Sequence, residues 1–320
     1  MDISEIDMDD IRGILYILLQ EGKRLPETKT YYLCKKWADK RKFSSLELVI
    51  NNPINASHAF QIGKLIRGRH FENLDVILHS SGGQINPAYQ IISLIKSHSD
   101  NLTVIIPIYA KSAATLFVLG CSKIIMGELA ELGPLDTQLL ERREGSRIYS
   151  SALNPFKTLE ELQRFALQMF DQSVRLLLQR ADYSIEEAVK HSMDFSSRIV
   201  APLFSQIKVD KMGEYSRALQ IGLEYGRRIS KRYGNISEEC YGNILQKLVF
   251  QYPSHDYIID AKEMEEIGLN VAKPTDEEGE IIHEMMVELF DSMHNRDDED
   301  EIALIDPEEE QCKTTPSTEK

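Results

Sequence analysis

Four short apolar segments in the first half of the chain constrain its fold more than any other feature. Each is apolar at nearly every position, a pattern typical of strands that are buried on both faces. The segments are residues 46–50, 74–79, 102–108 and 123–126. Stretches with helical character lie between them at 56–67, 85–96 and 112–119. Alternation of such strands with helices predicts an α/β fold, in which a parallel sheet is flanked by helices.

The chain outside these segments divides into a lead-in, a helical insert and a C-terminal region. Residues 1–45 are polar and mostly helical in pattern, with a short amphipathic segment at 11–20. From 141 to 250 the pattern is helical, and one face of the first helix there is apolar. The residues of that face are Leu159, Leu162, Ala166, Met169, Phe170, Val174 and Leu177. Such a stripe is usually core or subunit interface, so the insert is predicted to mediate oligomerisation.

The predicted core, residues 46–140, resumes near the C-terminus. Residues 251–275 contain a short strand, a helix with Asp260 as its N-cap, and a closing strand. Residues 276–320 are predicted to form a helix and then an acidic tail. Beyond about residue 296 the chain is charged and lacks aromatic residues, so this tail is expected to be disordered.

Composition argues against several classes of function. The 320 residues carry a formal net charge of −14, which disfavours nucleic acid or an anionic membrane as a partner. The four cysteines show no paired spacing, so neither a disulfide framework nor a thiolate metal site is indicated. The sequence contains no apolar run of roughly 18 residues, no metalloprotease motif and no nucleotide-binding motif. We therefore expect a cytoplasmic protein that needs no metal or other cofactor.

A Gly-Gly turn follows the second predicted strand, in residues 79–83 (HSSGG). Paired glycines allow the backbone to turn sharply and to expose N–H groups next to the following helix N-terminus. Peptide donors held in this way can bind developing negative charge, so Gly82 and Gly83 are candidate oxyanion-hole residues. The alternative is an ordinary tight turn between a strand and a helix.

Ser112 stands where the third predicted strand gives way to a helix, in the sequence AKSAATL at 110–116. Small neighbouring residues permit close approach of a substrate, and a helix N-terminus favours an alkoxide-like oxygen. These features make Ser112 a candidate nucleophile. The alternative is that its side chain only caps the helix, which is the commonest role of serine at that position.

Asp136 follows the fourth predicted strand, in the sequence LGPLDTQ at 132–138. Ligands of parallel α/β sheets bind beyond the carboxyl ends of the strands, which is where all three segments are predicted to lie. Asp136 could orient a general base at this edge. Its alternative role is that of an ordinary turn residue after Gly-Pro.

These three segments, in this order, resemble the serine dehydrogenase proteinase family of the Clp/crotonase superfamily, which is related to Clp peptidases and signal-peptide peptidases. A fourth match lies at 252–259 (YPSHDYII) and continues through 261–271, whereas 141–250 matches only in helical character. The resemblance implies a Clp/crotonase-like parallel sheet of spiral ββα units, flanked by helices and carrying a long helical insert.

The resemblance also implies a Ser, Asp, His catalytic set in that chain order. Mapped onto this sequence, Ser112 would be the nucleophile, Asp136 the orienting carboxylate and His255 the general base. The amides of the Gly-Gly turn would bind the oxyanion. Asp256 or Asp260 could serve in place of Asp136.

One departure from the Clp pattern leaves a second catalytic arrangement open. A Clp peptidase carries its catalytic histidine near the position of Pro134, and this chain has none there. The departure leaves the rearranged set, or a Ser–Lys dyad of the signal-peptide peptidase type. Lys157 or Lys190 could supply the desolvated amine of such a dyad. Lys111 is adjacent to Ser112 and is expected at the rim of the pocket, not as the base.

The function that the resemblance implies is that of a serine peptidase acting on soluble peptides or unfolded proteins, assembled as a homo-oligomer. Two rival functions are considered. A crotonase-like acyl-CoA enzyme would use the same oxyanion geometry without a nucleophile, but Ser112 and the lack of an obvious basic cluster for the CoA phosphates argue against it. A catalytically silent oligomeric scaffold would not require the Gly-Gly turn and Ser112 together.

Overall fold

The computed structural model describes residues 15–17, 29–50, 53–135, 138–143, 146–180, 183–233, 238–295 and 301–305. The chain divides into two compact units. One comprises residues 1–137 and 221–320, and the other comprises residues 138–220.

Helices and strands alternate along the first part of the chain. The elements there are β1 Leu15–Ile17, α1 Lys29–Arg41, β2 Ser44–Ile50, α2 Ala56–Ile66, β3 Phe71–Ser80, α3 Ile85–Ser97, β4 Ser99–Ile106, β5 Tyr109–Ala110, α4 Leu116–Gly120, β6 Lys123–Met126 and β7 Glu131–Leu132. The second unit contains β8 Gln138–Arg143, β9 Ser146–Ser151, α5 Asn154–Arg180, α6 Ile185–Phe204 and the start of α7 Val209–Tyr233. The first unit then continues with α8 Glu238–Gln246, α9 Ala261–Glu266, β10 Val271–Ala272, α10 Asp276–Asn295 and β11 Glu301–Ile305.

The sheet of the first unit has the strand order β1-β11-β2-β3-β4-β6-β10. All pairings from β2 to β10 are parallel, with Val76 opposite Val104 and Val104 opposite Ile124. β5 leaves this path, since it pairs with the end of β3 and then with β7. The prediction of an α/β fold with a parallel sheet flanked by helices is confirmed.

Both faces of the central strands are buried, as their continuous apolar sequence predicts. Residues 74–80 of β3 are buried at every position. On one face, Ile77, Ile105 and Ile125 belong to a single buried cluster with residues of α1 and α10. Successive residues of a strand point to opposite faces, so the alternate residues of the same strands face the other helical layer.

A buried polar network fixes α1 to the sheet. Asp75 of β3 is 1% exposed and accepts hydrogen bonds from Trp37 Nε1 at 2.9 Å and from Arg41 Nε at 3.0 Å. Arg41 also donates to Glu278 of α10 at 3.1 Å. A buried carboxylate is stable only when it is paired and hydrogen-bonded in this way, so the network holds α1, β3 and α10 in one arrangement.

Two segments form strands where the sequence analysis expected other structure. Residues 15–17, inside the segment expected to be an amphipathic helix, form β1. Residues 301–305, inside the tail expected to be disordered, form β11, which pairs antiparallel with β2 and with β1. An uncovered β2 would present unpaired backbone groups, and β11 satisfies them. The short apolar sequence EIALI supplies a strand within otherwise acidic surroundings.

The second unit ends at residue 220, within the helical insert predicted at 141–250. The end of α7 belongs to the first unit because it packs there. Tyr225 stacks on Tyr89 of α3, with ring centroids 4.2 Å apart, and Ile229 lies against Gly120. None of the helices among the described residues combines the length and the apolarity needed to cross a membrane.

Candidate active site

The turn after β3 is built so that only glycine fits at two successive positions. Gly82 has a φ of +102° and Gly83 a φ of +144°. A Cβ atom at Gly82 would lie 2.6 Å from Lys111 O and 2.8 Å from Ser112 Cβ, and one at Gly83 would lie 2.1 Å from Ile54 N. Because both side chains are absent, the turn can contact the start of the Ser112 helix and the segment before α2.

The hydrogen bonds of this turn decide which of its amides can bind a ligand. Gly82 N–H donates to Ser80 Oγ at 3.1 Å, so this predicted oxyanion donor is already engaged. Gly82 O and Gln84 N–H both bond to the backbone of Ile54, in a parallel bridge centred on Gly83. In such a bridge the N–H of the central residue points away from the partner segment. Of the two predicted donors, the geometry favours Gly83.

Ser112 begins the 3₁₀ turn Ser112–Thr115, which leads into α4. Its φ is +54°, whereas an N-cap residue has extended backbone angles, and Lys111 occupies the N-cap position. The alternative that Ser112 only caps the helix is therefore excluded. Residues other than glycine that are held in this region cost about 1–3 kcal/mol each and cluster at functional sites. Ser112 is thus a strained and buried serine, 2% exposed, at a helix start.

A second amide donor is available where the helix begins. The first N–H groups of a helix have no acceptor within the helix, and Ala113 N–H is one of them. Ala113 N would lie 3.2 Å from a Cβ at Gly82, so it is close to the Gly-Gly turn. Thr115 Oγ1 donates to Gly133 O at 2.8 Å and fixes the helix start to the segment after β7. The amides of Gly83 and Ala113 therefore lie on two elements that meet at Ser112, an arrangement suited to binding an oxyanion.

A short ladder beside the main sheet connects the Ser112 segment with the C-terminal candidate residues. Ser80 of β3 pairs with Ala110 of β5, and Ala110 pairs with Leu132 of β7. Leu132 and Ile259 then exchange two backbone hydrogen bonds, of 2.9 and 3.0 Å, in an antiparallel bridge. Two strand spacings place the backbone of Ile259 about 10 Å from that of Ala110.

The direction of this ladder decides where His255 lies. β5 and β7 run parallel, and the segment of Ile259 runs antiparallel to β7. The chain therefore runs toward the same end of the ladder in two places. It does so forward from Ala110 to Ser112, and backward from Ile259 to His255. His255 stands in a half-buried turn four residues before Ile259, on that side of the bridge. The segments of Ser112 and His255 are thus brought to one end, while the role of His255 as the base stays a prediction.

The three carboxylates considered as partners of the base differ in their surroundings. Asp136 lies outside the described residues. Asp260 is the N-cap of α9, as its position in the sequence predicts, and its Oδ1 accepts the Glu263 N–H at 2.8 Å. Asp256 is exposed in the turn beside His255. Because Asp260 has this structural role, Asp136 and Asp256 are left as predicted partners of His255.

Comparison with protein families adds to this geometry. Residues 45–196 match the model of the ClpP-like SDH-type serine proteinase family. The matched stretch is 152 of the 320 residues, slightly under half of the chain. The match confirms both the resemblance found in the sequence and the Clp-type fold, and it supports a serine peptidase as the class of enzyme.

Two uncharacterized proteins of Methanocaldococcus jannaschii are similar to a shorter part of the chain. One is 47% identical and the other 41% identical, each over 66 residues. The aligned stretch is 21% of this chain and 23% of each relative, so the similarity spans less than a quarter of the relatives' length.

The lysines considered for a Ser–Lys dyad do not have the surroundings of a catalytic amine. Lys190 is exposed on α6, and Lys157 of α5 forms an ion pair with Glu160 at 3.2 Å. A dyad needs a desolvated amine, whereas Lys190 is exposed and the amine of Lys157 is engaged by Glu160. In the candidate site itself, Lys111 is paired with Glu131 of β7 at 2.5 Å, which holds its amine on the neighbouring strand.

The groups that the described part of the candidate site offers are a hydroxyl, backbone amides and an imidazole. Among the described residues, His, Cys, Asp and Glu side chains form no group of three or more that could hold a metal ion.

Sequence reasoning missed His79, a buried residue next to the Gly-Gly turn. It is 1% exposed, and its ring packs against that of Tyr109 at a tilt of 44°, with centroids 4.2 Å apart. Neither ring nitrogen has a hydrogen-bond partner among the described residues. Burial lowers the pKa of His79 to about 4, so the ring is neutral at pH 7. The sequence did carry a signal for it, because His79 stands inside an otherwise apolar predicted strand. Such a strand is buried on both faces, so a histidine within it is expected to be buried as well.

His79 should make the folded protein sensitive to acid. Its pKa falls from 6.5 to about 4 on folding, so the unfolded chain binds the extra proton between these values and stability is lost as the pH falls. Between pH 7 and pH 5 we expect the free energy of unfolding to drop by about 2 kcal/mol through this residue. Urea unfolding of the parent and of His79→Phe at both pH values measures the effect. His283→Phe, at an exposed histidine of α10, should unfold like the parent, and an unchanged acid loss in His79→Phe would exclude His79 as its source.

Proposed function

We propose that this chain is a serine peptidase in which Ser112 attacks the scissile carbonyl. The observation that carries the proposal is the backbone of Ser112, which is held at a φ of +54° against Gly82 in a buried helix start. Backbone strain persists only where the surroundings impose it, and it is typical of nucleophiles presented at sharp strand-to-helix turns. The family match supports the same chemistry.

In the proposed reaction, His255 accepts the proton of the Ser112 hydroxyl while Oγ bonds to the carbonyl carbon. The carbonyl oxygen becomes negative and is bound by the amides of Gly83 and Ala113. Breakage of the C–N bond follows, and His255 gives its proton to the leaving amine, which leaves an acyl-enzyme. His255 then deprotonates a water molecule that hydrolyses the ester and restores Ser112. Asp136 holds the imidazole in the required tautomer in both halves of the reaction.

The burial of the nucleophile bears on the substrate. Ser112 is 2% exposed, so a folded protein surface could not bring a peptide bond to it. A short peptide or an unfolded chain can enter a narrow site, and these are the substrates we propose. A cytoplasmic homo-oligomer is the proposed form of the enzyme. The amphipathic helix α5 supports a subunit contact, because none of its residues is buried within the chain.

The experiment that tests this function is labelling of the purified protein with a fluorophosphonate, with the adduct located by mass spectrometry. Such probes react with a serine whose hydroxyl is activated by a base. We expect an adduct on Ser112, its absence in Ser112→Ala, and labelling about 100-fold slower or worse in His255→Ala. His283→Ala, at an exposed histidine of α10, should label like the parent.

Each other result points to a different function or mechanism. Labelling that survives in His255→Ala would show that His255 is not the base. A folded and assembled protein that is not labelled at Ser112 would contradict the peptidase proposal, and would favour the scaffold or the acyl-CoA enzyme.

A further inference from the structure

The predicted base lies at the tip of a loop whose two ends are joined by side chains. We name residues 247–263 the base loop. Glu263 Oε1 accepts a hydrogen bond from the Tyr252 hydroxyl at 3.0 Å and lies 3.0 Å from the ammonium of Lys247. Lys247 Nζ also lies over the Tyr252 ring, 5.6 Å from its centroid. Lys247 and Tyr252 precede His255 in the loop and Glu263 follows it. Their contacts therefore join the two ends of the base loop.

One limb of the base loop is bonded to β7 and the other to the segment that follows β7. The first limb begins with a π-helical turn, Lys247–Gln251, a feature that often occurs at functional sites. The carbonyl of Leu248 in this turn accepts the N–H of Leu135 at 2.9 Å, and both residues are buried. On the second limb, Ile259 exchanges its two backbone hydrogen bonds with Leu132. The limbs are fixed in this way, whereas the tip with the candidate base depends on the contacts inside the loop.

Tyr252 is the residue at which the contacts inside the loop meet. It is 4% exposed, and its ring packs against that of Tyr257 with centroids 4.8 Å apart. Burial and the Glu263 carboxylate raise the pKa of Tyr252, so its hydroxyl remains a donor at neutral pH. A hydrogen bond from a buried hydroxyl to a carboxylate is of the strong, charge-assisted kind. Glu263 is itself held in place, because its N–H donates to Asp260 at 2.8 Å.

We propose that Tyr252, through its hydrogen bond to Glu263, is a positioning residue that holds His255 for proton transfer. The inference rests on the proposed function, because it requires His255 to be the base. Tyr252 acts through the loop and not on the substrate, since its hydroxyl is committed to Glu263. Without that bond the tip of the base loop loses one of the contacts that position it. A shift of about 1 Å in a catalytic group costs about a hundredfold in rate.

The test compares variants by the rate of fluorophosphonate labelling at Ser112, measured as a function of pH. Tyr252→Phe removes the hydroxyl and keeps the ring, and we expect labelling to slow by about 10- to 100-fold and the midpoint of its acid limb to move. Tyr257→Phe is the matched control, because it removes the hydroxyl of the more exposed ring of the same pair, and its rate should be unchanged. Glu263→Gln keeps an acceptor for Tyr252 and should label faster than Glu263→Ala.

A double variant separates failure of this inference from failure of the proposed function. If Tyr252 acts through His255, then Tyr252→Phe causes no further loss in a His255→Ala background. An equal loss in both backgrounds, or a parent-like rate for Tyr252→Phe beside a slow His255→Ala, would overturn the positioning role alone. A parent-like rate for His255→Ala would overturn the base and the positioning role together. Thermal melting of each variant shows whether it is folded.

Discussion

Replacing Ser112 by glycine is expected to abolish peptide hydrolysis and to give a protein that is more stable than the Ser112→Ala variant. Both substitutions remove the nucleophile, so activity should fall by roughly 10⁴- to 10⁶-fold in each. They differ in backbone energy, because alanine keeps the strain of a φ of +54° and glycine does not. We expect the free energy of unfolding to be about 1 kcal/mol higher for the glycine variant, measured by urea unfolding.

A second strained position provides the matched control for this comparison. Lys42 follows α1 with a φ of +57°, is exposed, and lies outside the candidate site. Lys42→Gly should be more stable than Lys42→Ala by a similar amount, and both should keep full activity. Equal stability of the two Ser112 variants would show that the serine backbone is not strained. Hydrolysis by Ser112→Ala would show that another residue is the nucleophile.

Much of the fold could be predicted because its signals are local. The strands β2, β3, β4 and β6 are short apolar runs. The helices between them begin and end at residues that commonly bound helices. β11 could not be predicted in the same way. Its five residues form a strand only because β2 offers unpaired backbone groups, and that partner is distant in the sequence. The packing of α7 could not be predicted either, because helical periodicity does not show that Tyr225 stacks on Tyr89.

The residue types of the candidate site could be predicted from the sequence, but the geometry of those residues could not. The Gly-Gly turn and Ser112 stand out as residue types, yet a serine carries no sign in the sequence of whether its backbone is extended, as in an N-cap, or left-handed, as here. Ser80, which engages the N–H of Gly82, belongs to the same five-residue motif and still could not be distinguished from an ordinary turn residue. The base loop depends on the pairing of Leu132 with Ile259 across more than a hundred residues, which only the folded chain reveals.

Gly82→Ala should impair both activity and stability, because the added methyl group would collide with the nucleophile segment. Its Cβ would lie 2.6 Å from Lys111 O and 2.8 Å from Ser112 Cβ, and the φ of +102° is itself unfavourable for alanine. Relief of the contact requires Ser112 to move away from the turn, so we expect hydrolysis to fall by at least about 100-fold. We expect the free energy of unfolding to fall by about 3 kcal/mol, the sum of overpacking and backbone strain. Peptide hydrolysis and urea unfolding of the same preparation measure both effects.

Gly68→Ala separates the two causes, because Gly68 has a φ of +73° and no atom of the described residues lies within 4 Å of the position of an added Cβ. It carries the backbone penalty without the collision, so it should lose about 1 kcal/mol of stability and no activity. If both variants lose the same stability and both stay active, the turn does not contact the nucleophile segment, and Gly82 has only a conformational role. A Gly82→Ala protein that folds but does not hydrolyse peptides would instead tie the left-handed turn directly to the placement of Ser112. In that case the same close approach that forbids a side chain at Gly82 is what brings the amides of Gly83 and Ala113 to one reacting carbonyl.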